Sequence, residues 1–292
     1  MVLFPKNLFM GIISKMQEYT LLIDAEDSKG LVYNISKVLF ANNLNIEKNA
    51  EYVDEETKKF FMRTVISGNV NANLLLKEIK EALPDTAQIK LNKNKKKDVV
   101  ILATKETHVL GDLLIRYSDG ELNANIKAVI ANHENLRDLV EKFDIPFTCI
   151  SAEGLSREEH EDKMIAKINE FEPEIIVLAK YMRILTPKFV QEYPKKVLNI
   201  HHSFLPAFIG ANPYKQAHER GVKIIGATAH YVTDDLDEGP IIAQDVVSVD
   251  HSYSWQDMRK AGRNVEKIVL ANALSHLLED KVFVHGNKTV IL

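Results

Sequence analysis

From Val99 onward the sequence alternates between two periods. Short β-branched runs (VVILAT, IKAVIAN, FTCISA, IIVLAK and KVLNIHHS) are separated by ETHVLGDLLIRYS, NLRDLVEKF, EEHEDKMIAKINEF and TPKFVQEY, which carry apolar residues at helical spacing. A strand that is apolar along its whole length must be covered on both faces, and helices between parallel strands supply that cover. The rhythm predicts an α/β domain with a doubly wound, mostly parallel sheet. Beyond the fifth run the sequence predicts a helix over PYKQAHERG, strands over KIIGATAHYVT and PIIAQDVVSVD, and a long helix over WQDMRKAGRNVEKIVLANALSHLLE.

The preceding segment has a different grammar. TLLIDAE and LNIEKNAEYVD read as strands on either side of a helix over LVYNISKVLFANN, with Asp27 and Ser28 placed to cap its start. A third strand, KFFMRTVISG, follows the turn Asp54–Lys58. A second helix, NANLLLKEIKEAL, starts at Asn71 or Asn73 and stops at Pro84, and TAQIKL returns as a strand. The order β-α-β-β-α-β predicts a ferredoxin-like unit. Between the two grammars lies NKNKKKD, a lysine-rich run that reads as a solvated linker. The expected organisation is an N-terminal extension at 1–17, a first domain at 18–91, a linker at 92–98 and a second domain at 99–292.

A chain of 292 residues is comfortable as two domains, and 46% hydrophobic with 27% charged residues fits a globular protein with sizeable cores. The net charge of −4 argues against sequence-independent nucleic-acid binding. One cysteine, Cys149, excludes a disulfide within the chain and favours a reducing, cytoplasmic location. Its apolar context, PFTCI, makes it a small packing residue rather than a nucleophile. No apolar run is long enough for a membrane helix, so no membrane partner is expected.

Chemistry concentrates in VLNIHHSFLPAFIGANPYKQA and GATAHYVTDDLDEGPIIAQ. In an open α/β sheet, ligands bind beyond the carboxyl ends of the strands. Asn199, His201 and His202 end one strand; His230 ends another, and the loop after it carries Asp234, Asp235, Asp237 and Glu238. An amide, an imidazole and a carboxylate suit acyl transfer: one steadies an oxyanion, one moves a proton, one orients or drives the base. Strand alternation puts Asn199 and His201 on one face, with Ile200 and His202 on the other. No His-x₃-His pair or Cys/His set with ligand spacing is present, so no metal is expected.

NIHHSFLPAFIGANPY followed by HYVTDDLDEGPIIAQ resembles the folate-dependent formyltransferase superfamily, whose pattern is Asn-x-His, a Ser-Leu/Phe-Leu-Pro loop and an Asp-x-Gly-Pro loop. LAKYMRILTP and KVFVHGNKT extend the resemblance across nearly the whole chain, toward the branch that hydrolyses 10-formyltetrahydrofolate to formate and tetrahydrofolate and supplies formate to one-carbon and purine metabolism. The resemblance implies a catalytic set of Asn199, His201 and Asp237. It implies a folate pocket lined by Met182, Arg183, Ile184, Leu185, Val232, Thr233 and Asp234, with His202 and His230 behind the reacting groups. The folate is then the substrate, and no cofactor is expected. LIDAEDSKGLV resembles the entry of an ACT-type domain, a class that pairs edge to edge and binds small amino acids. That implies a homo-oligomer, dimer or tetramer, and an effector site at Asp27 and Gly30.

The acceptor is read from a different segment. Formyltransferases with a ribonucleotide acceptor carry a glycine-rich phosphate loop after the first strand of this domain. Here ATKETHVLGD places Thr104, Lys105, Glu106, Thr107 and His108 there, and Glu106 would repel a phosphate. Water, which needs no such seat, is the expected acceptor. The alternatives are transfer to an amine such as glycinamide ribonucleotide, and a sensor with an inactive catalytic domain; the intact Asn199, His201 and Asp237 argue against the sensor.

Overall fold

The computed structural model describes residues 17–207 and 212–292, so the expected N-terminal extension lies outside the described residues except for Gln17. The chain divides into two compact units, one ending at Lys95 and grouped with Leu292, the other spanning Lys96–Ile291.

The first unit runs β1 (Glu18–Glu26), α1 (Leu31–Ala41), β2 (Asn45–Asp54), β3 (Lys59–Ser67), α2 (Ala72–Ala82) and β4 (Gln88–Lys93). Its strands order β2-β3-β1-β4 with antiparallel pairing throughout, which is the expected ferredoxin-like arrangement. Leu21, Ile23, Phe60 and Met62 on one sheet face pack against Leu31, Ile35 and Leu39 of α1 and Leu75 and Ile79 of α2. Asn71 caps α2 by accepting from Leu74 N at 3.3 Å.

Two local expectations are corrected here. Neither Asp27 nor Ser28 caps α1. Its N-cap is Gly30 at φ 95°, with no side-chain cap, a left-handed conformation that glycine adopts at little cost. The segment 92–98 holds the boundary between the two units, at Lys95/Lys96, but only 94–96 lies outside the strands. β4 runs to Lys93 as an edge strand paired to β1, and edge strands tolerate exposed lysines well. Lys97 opens the next strand, with its ammonium 2.6 Å from Asp280. Lys93, Lys95 and Lys96 are exposed, as a solvated run requires, whereas Lys97 is half-buried.

The second unit contains β5 (Lys97–Ala103), α3 (Thr107–Ser118), β6 (Ala124–Ala131), α4 (Arg137–Glu141), β7 (Phe147–Cys149), α5 (Arg157–Asn169), β8 (Ile175–Ala179), α6 (Pro187–Glu192), β9 (Val197–His201), α7 (Pro213–Arg220), β10 (Ile224–Tyr231), β11 (Ile241–Ser248), α8 (Trp255–Leu278), β12 (Val282–His285) and β13 (Lys288–Ile291). Seven strands order β11-β10-β9-β8-β5-β6-β7. β5 through β9 pair in parallel, and β10 is antiparallel to both neighbours. Alternation along β5 shows why both faces need helices. Val99, Ile101 and Ala103 enter one core with Leu110, Leu113, Val269 and Leu274, whereas Val100 and Leu102 enter another with Met164, Ile168 and Phe189.

The chain leaves β5 toward β6 and β7, then crosses back to place β8 on the other side of β5. That reversal opens a crevice at the carboxyl ends of β5 and β8, where ligands bind in such sheets. The β12–β13 hairpin turns at Gly286-Asn287, and Thr289 Oγ1 donates to Ile241 O on β11 at 2.5 Å. In KVFVHGNKT the Gly-Asn pair between short apolar runs is itself a hairpin signal.

Candidate active site

The crevice opens into a cavity of about 700 Å³, within the range of small-molecule sites. Asn199, His201, His202, His230 and Asp237 all line it. β9 delivers Asn199 and His201 on the same face, and β10 sets His230 directly opposite Asn199 in the strand register. The Asn199 amide donates to His230 Nε2 at 3.2 Å, and His230 Nδ1 lies 2.8 Å from Tyr231 O, which accepts its proton. Asp237 completes the cluster, with Oδ2 3.2 Å from His201 Nδ1 and Oδ1 3.6 Å from His230 Nε2. The other ring nitrogen of His201, Nε2, is buried and has no hydrogen-bond partner among the described residues.

These positions are held by features a motif does not display. Thr228 pairs with His201 across β9 and β10. Its hydroxyl donates to Ser203 O at 2.9 Å and accepts from Leu205 N at 3.0 Å and Gln244 Nε2 at 2.9 Å. The SFLP segment is thereby stapled to the sheet. Asp237 sits at φ 57°, an uncommon conformation in which Asp is enriched among non-glycine residues. Gly239 is needed beside it, because a Cβ there would lie 1.9 Å from Tyr231 O. Gly239→Ala is therefore expected to displace the Asp237 turn and to lower kcat far more than Tm; paired kinetics and thermal unfolding read the difference.

Behind the cluster lies a polar network that the sequence reading missed. Glu266, 1% exposed, accepts from Tyr214 OH at 2.6 Å, pairs with His108 Nε2 at 2.9 Å and lies 3.3 Å from Lys180 Nζ. Burial alone would raise its carboxyl, but His108, Lys180 and Tyr214 outweigh burial and hold it down to about 2. Burial and then Glu266 push the Tyr214 phenol well above its ordinary value. Tyr214 reaches Glu266 across Gly262, where a Cβ would lie 2.2 Å from the phenol oxygen and 2.5 Å from the ring. Glu266 sits within a buried stripe of α8 that includes Gly262, Val269, Leu270 and Ala273. A lone carboxylate in that helical stripe is the signal that could have marked it.

His202 corrects the alternation argument. β9 ends at His201, so the residue after it is no longer bound to the opposite face. Its ring lies 5.2 Å from that of His201 and 6.0 Å from that of Tyr214, inside the same cavity. Burial, followed by the nearby Lys180 charge, lowers its pKa to about 4, so the imidazole is neutral at pH 7. For Asp237, burial acts to raise the carboxyl, but the facing histidines, His201 foremost, prevail and hold it well below the usual carboxylate range.

The remaining wall comes from the two expected segments. Met182, Arg183, Ile184 and Leu185 line it from the loop after β8, and Val232, Thr233 and Asp234 line it from the loop after β10. Met182 N donates to Thr104 Oγ1 at 3.0 Å, while Glu161 accepts from both the backbone N–H and the hydroxyl of Thr186, so the first loop is pinned at both ends. Met182 and Ile184 stay largely exposed. Asp27 and Gly30 lie in the first unit, exposed at the turn between β1 and α1. Among the described residues no cluster of three or more His, Cys, Asp or Glu side chains is arranged to hold a metal ion, and no helix is long and apolar enough to cross a membrane.

Comparison with known proteins gives the geometry its context. The formyl transferase family matches residues 97–274, which span most of the second unit. A formyltetrahydrofolate deformylase of Escherichia coli O6:H1 is 55% identical over 277 residues, covering 95% of this chain and 99% of that protein. The crystal structure of a formyltetrahydrofolate deformylase from Pseudomonas syringae pv. tomato superposes with a TM-score of 0.91 at 40% identity, covering 96% of each chain. One from Burkholderia mallei superposes with a TM-score of 0.88 at 34% identity, covering 94% of this chain and 99% of the other. With the site geometry and these full-length matches together, the chain belongs to the formyltetrahydrofolate deformylase family, enzymes that hydrolyse 10-formyltetrahydrofolate to formate and tetrahydrofolate.

Proposed function

We propose that Asn199, His201 and Asp237 carry this hydrolysis and that the folate lies along Met182–Leu185 and Val232–Asp234. The observation that supports the roles is the two-sided environment of His201: a carboxylate on Nδ1, and on the other side a buried Nε2 that no described residue satisfies. A carboxylate at Nδ1 fixes the tautomer in which Nε2 accepts. As water attacks the formyl carbon, Nε2 takes its proton and Asp237 steadies the imidazolium. Asn199 spends one amide N–H on His230, and its second N–H meets the developing oxyanion. The imidazolium then returns the proton to the folate nitrogen as the C–N bond breaks, giving formate and tetrahydrofolate.

The depressed Asp237 carboxyl favours this division of labour, because a carboxylate held so firmly ionised is a poor proton acceptor. Neutral His202 puts no second positive charge beside the imidazolium. His201→Gln is expected to bind the folate while releasing formate about 10²–10⁴-fold more slowly. Single-turnover formate release with folate binding measured in parallel separates the two, and near wild-type turnover would overturn the assignment. An amino-acid effector at Asp27 and Gly30, assembly into dimers or tetramers, and a cytoplasmic location belong to the same proposal.

A further inference from the structure

On the wall of the same cavity, away from the Asn199–His201–Asp237 cluster, a carboxylate is gripped by three basic side chains. Glu106 is the residue immediately before α3, at the carboxyl end of β5. Its Oε1 accepts from Arg259 Nη2 at 2.7 Å, its Oε2 accepts from Arg263 Nη2 at 2.7 Å, and His108 Nδ1 lies 3.3 Å from Oε2. Burial acts to raise the carboxyl, but Arg263, Arg259 and His108 outweigh it and lower it. Arg259 and Arg263 are one helical turn apart on α8 and stay partly open to the cavity, at 46% and 41% side-chain exposure.

Three details distinguish this grip from an ordinary surface ion pair. Glu106 is the only carboxylate paired with Arg259 or Arg263 among the described residues, so both guanidiniums are committed to one anion. The other carboxylate here, Glu266, is already matched by Lys180 and Tyr214. Moreover, the Glu106 side chain makes no capping bond to α3, whose first turn carries no acid, so the positive end of a twelve-residue helix faces the same spot. Two guanidiniums beside a helix N-terminus form a seat suited to a phosphate-like anion.

We infer that Glu106 is a built-in occupant of an anion subsite: its carboxylate fills, from within the chain, the seat that an anionic acceptor group would take beside the formyl centre, and it thereby restricts the acceptor to water. The inference rests on the assignment of this cavity to the reaction. It refines the expectation that Glu106 merely repels phosphate: the residue also consumes the charges that would attract it. Glu106 is then a specificity-determining residue.

The test uses the full-length chain with inorganic phosphate as probe, against chloride at matched ionic strength. Glu106→Ala is expected to gain saturable thermal stabilisation by phosphate that the unaltered protein lacks, and the Glu106→Ala/Arg263→Met double variant is expected to lose it. Glu106→Gln, which preserves the shape, serves if the alanine variant does not fold, and it should gain a weaker response. Equal responses in the unaltered protein and the variants, or none in any of them, would overturn the inference, as would a response that survives loss of Arg263. Phosphate should also slow formate release by Glu106→Ala. Binding without slowing would overturn the link to the acceptor while leaving the His201 roles, tested separately, untouched.

Discussion

Replacing Asp237 with asparagine is expected to lower kcat for formate release by about 10²–10⁴-fold while folate affinity changes little. The amide has nearly the same shape as the carboxylate, so the turn built on Gly239 and the contacts to His201 and His230 have room to persist. The negative charge does not persist. His201 loses the partner that fixes its Nδ1 proton and stabilises the imidazolium in the transition state, and an amide can present its N–H₂ to Nδ1 and favour the wrong tautomer. The cavity wall proposed to hold the folate, Met182–Leu185 and Val232–Asp234, is not altered. Equilibrium binding of the folate with single-turnover kinetics provides the check. Full turnover in Asp237→Asn would refute the role.

The second large effect is on stability. Glu266→Gln leaves Lys180, 7% exposed, beside an uncharged side chain. Breaking a buried pair by removing one partner costs about 3–5 kcal/mol. For a unit of this size that corresponds to a fall in Tm of about 6–20 °C. Replacing both members, as Lys180→Met with Glu266→Leu, should recover much of the loss, because no buried charge is then uncompensated. The pH dependence has a definite sign. The folded-state carboxyl is held at about 2 against an ordinary 4.5. Its stabilisation is therefore complete above about 4.5 and is lost as the pH falls toward 2. Acid unfolding of Glu266→Gln should lack that limb, and urea titrations at several pH values measure it.

The fold was largely legible because its strands announce themselves. VVILAT and IIVLAK are apolar on both faces, and both are central strands of the seven-stranded sheet. Residues whose local context is misleading were harder to read. Lys97 looks solvated by composition, yet it is half-buried and opens a central strand. Motif residues such as Asn199 and His201 stood out because a strand end displays them. Their supports did not: Thr228 in GATAHYV and Glu266 in RNVEKIVL carry no motif, and their partners are distant in sequence. Pairings of that kind are set by tertiary packing and leave no local spacing to read. Glu106 lies between these cases. Its position after β5 was visible, but the two arginines of α8 that give it meaning are more than 150 residues away.

The direct opposition of Asn199 and His230 in the β9–β10 ladder has a further consequence. These two groups are spaced by backbone hydrogen bonds, as rungs are spaced by rails, while Asp237 swings in from a connecting loop. Length changes in the two places are therefore not equivalent. A residue added to the Thr233–Leu236 segment perturbs only how the carboxylate arrives. A residue added within β10 ahead of His230 shifts the ladder by one rung, sets a different residue opposite Asn199 and turns the imidazole to the other side of the sheet.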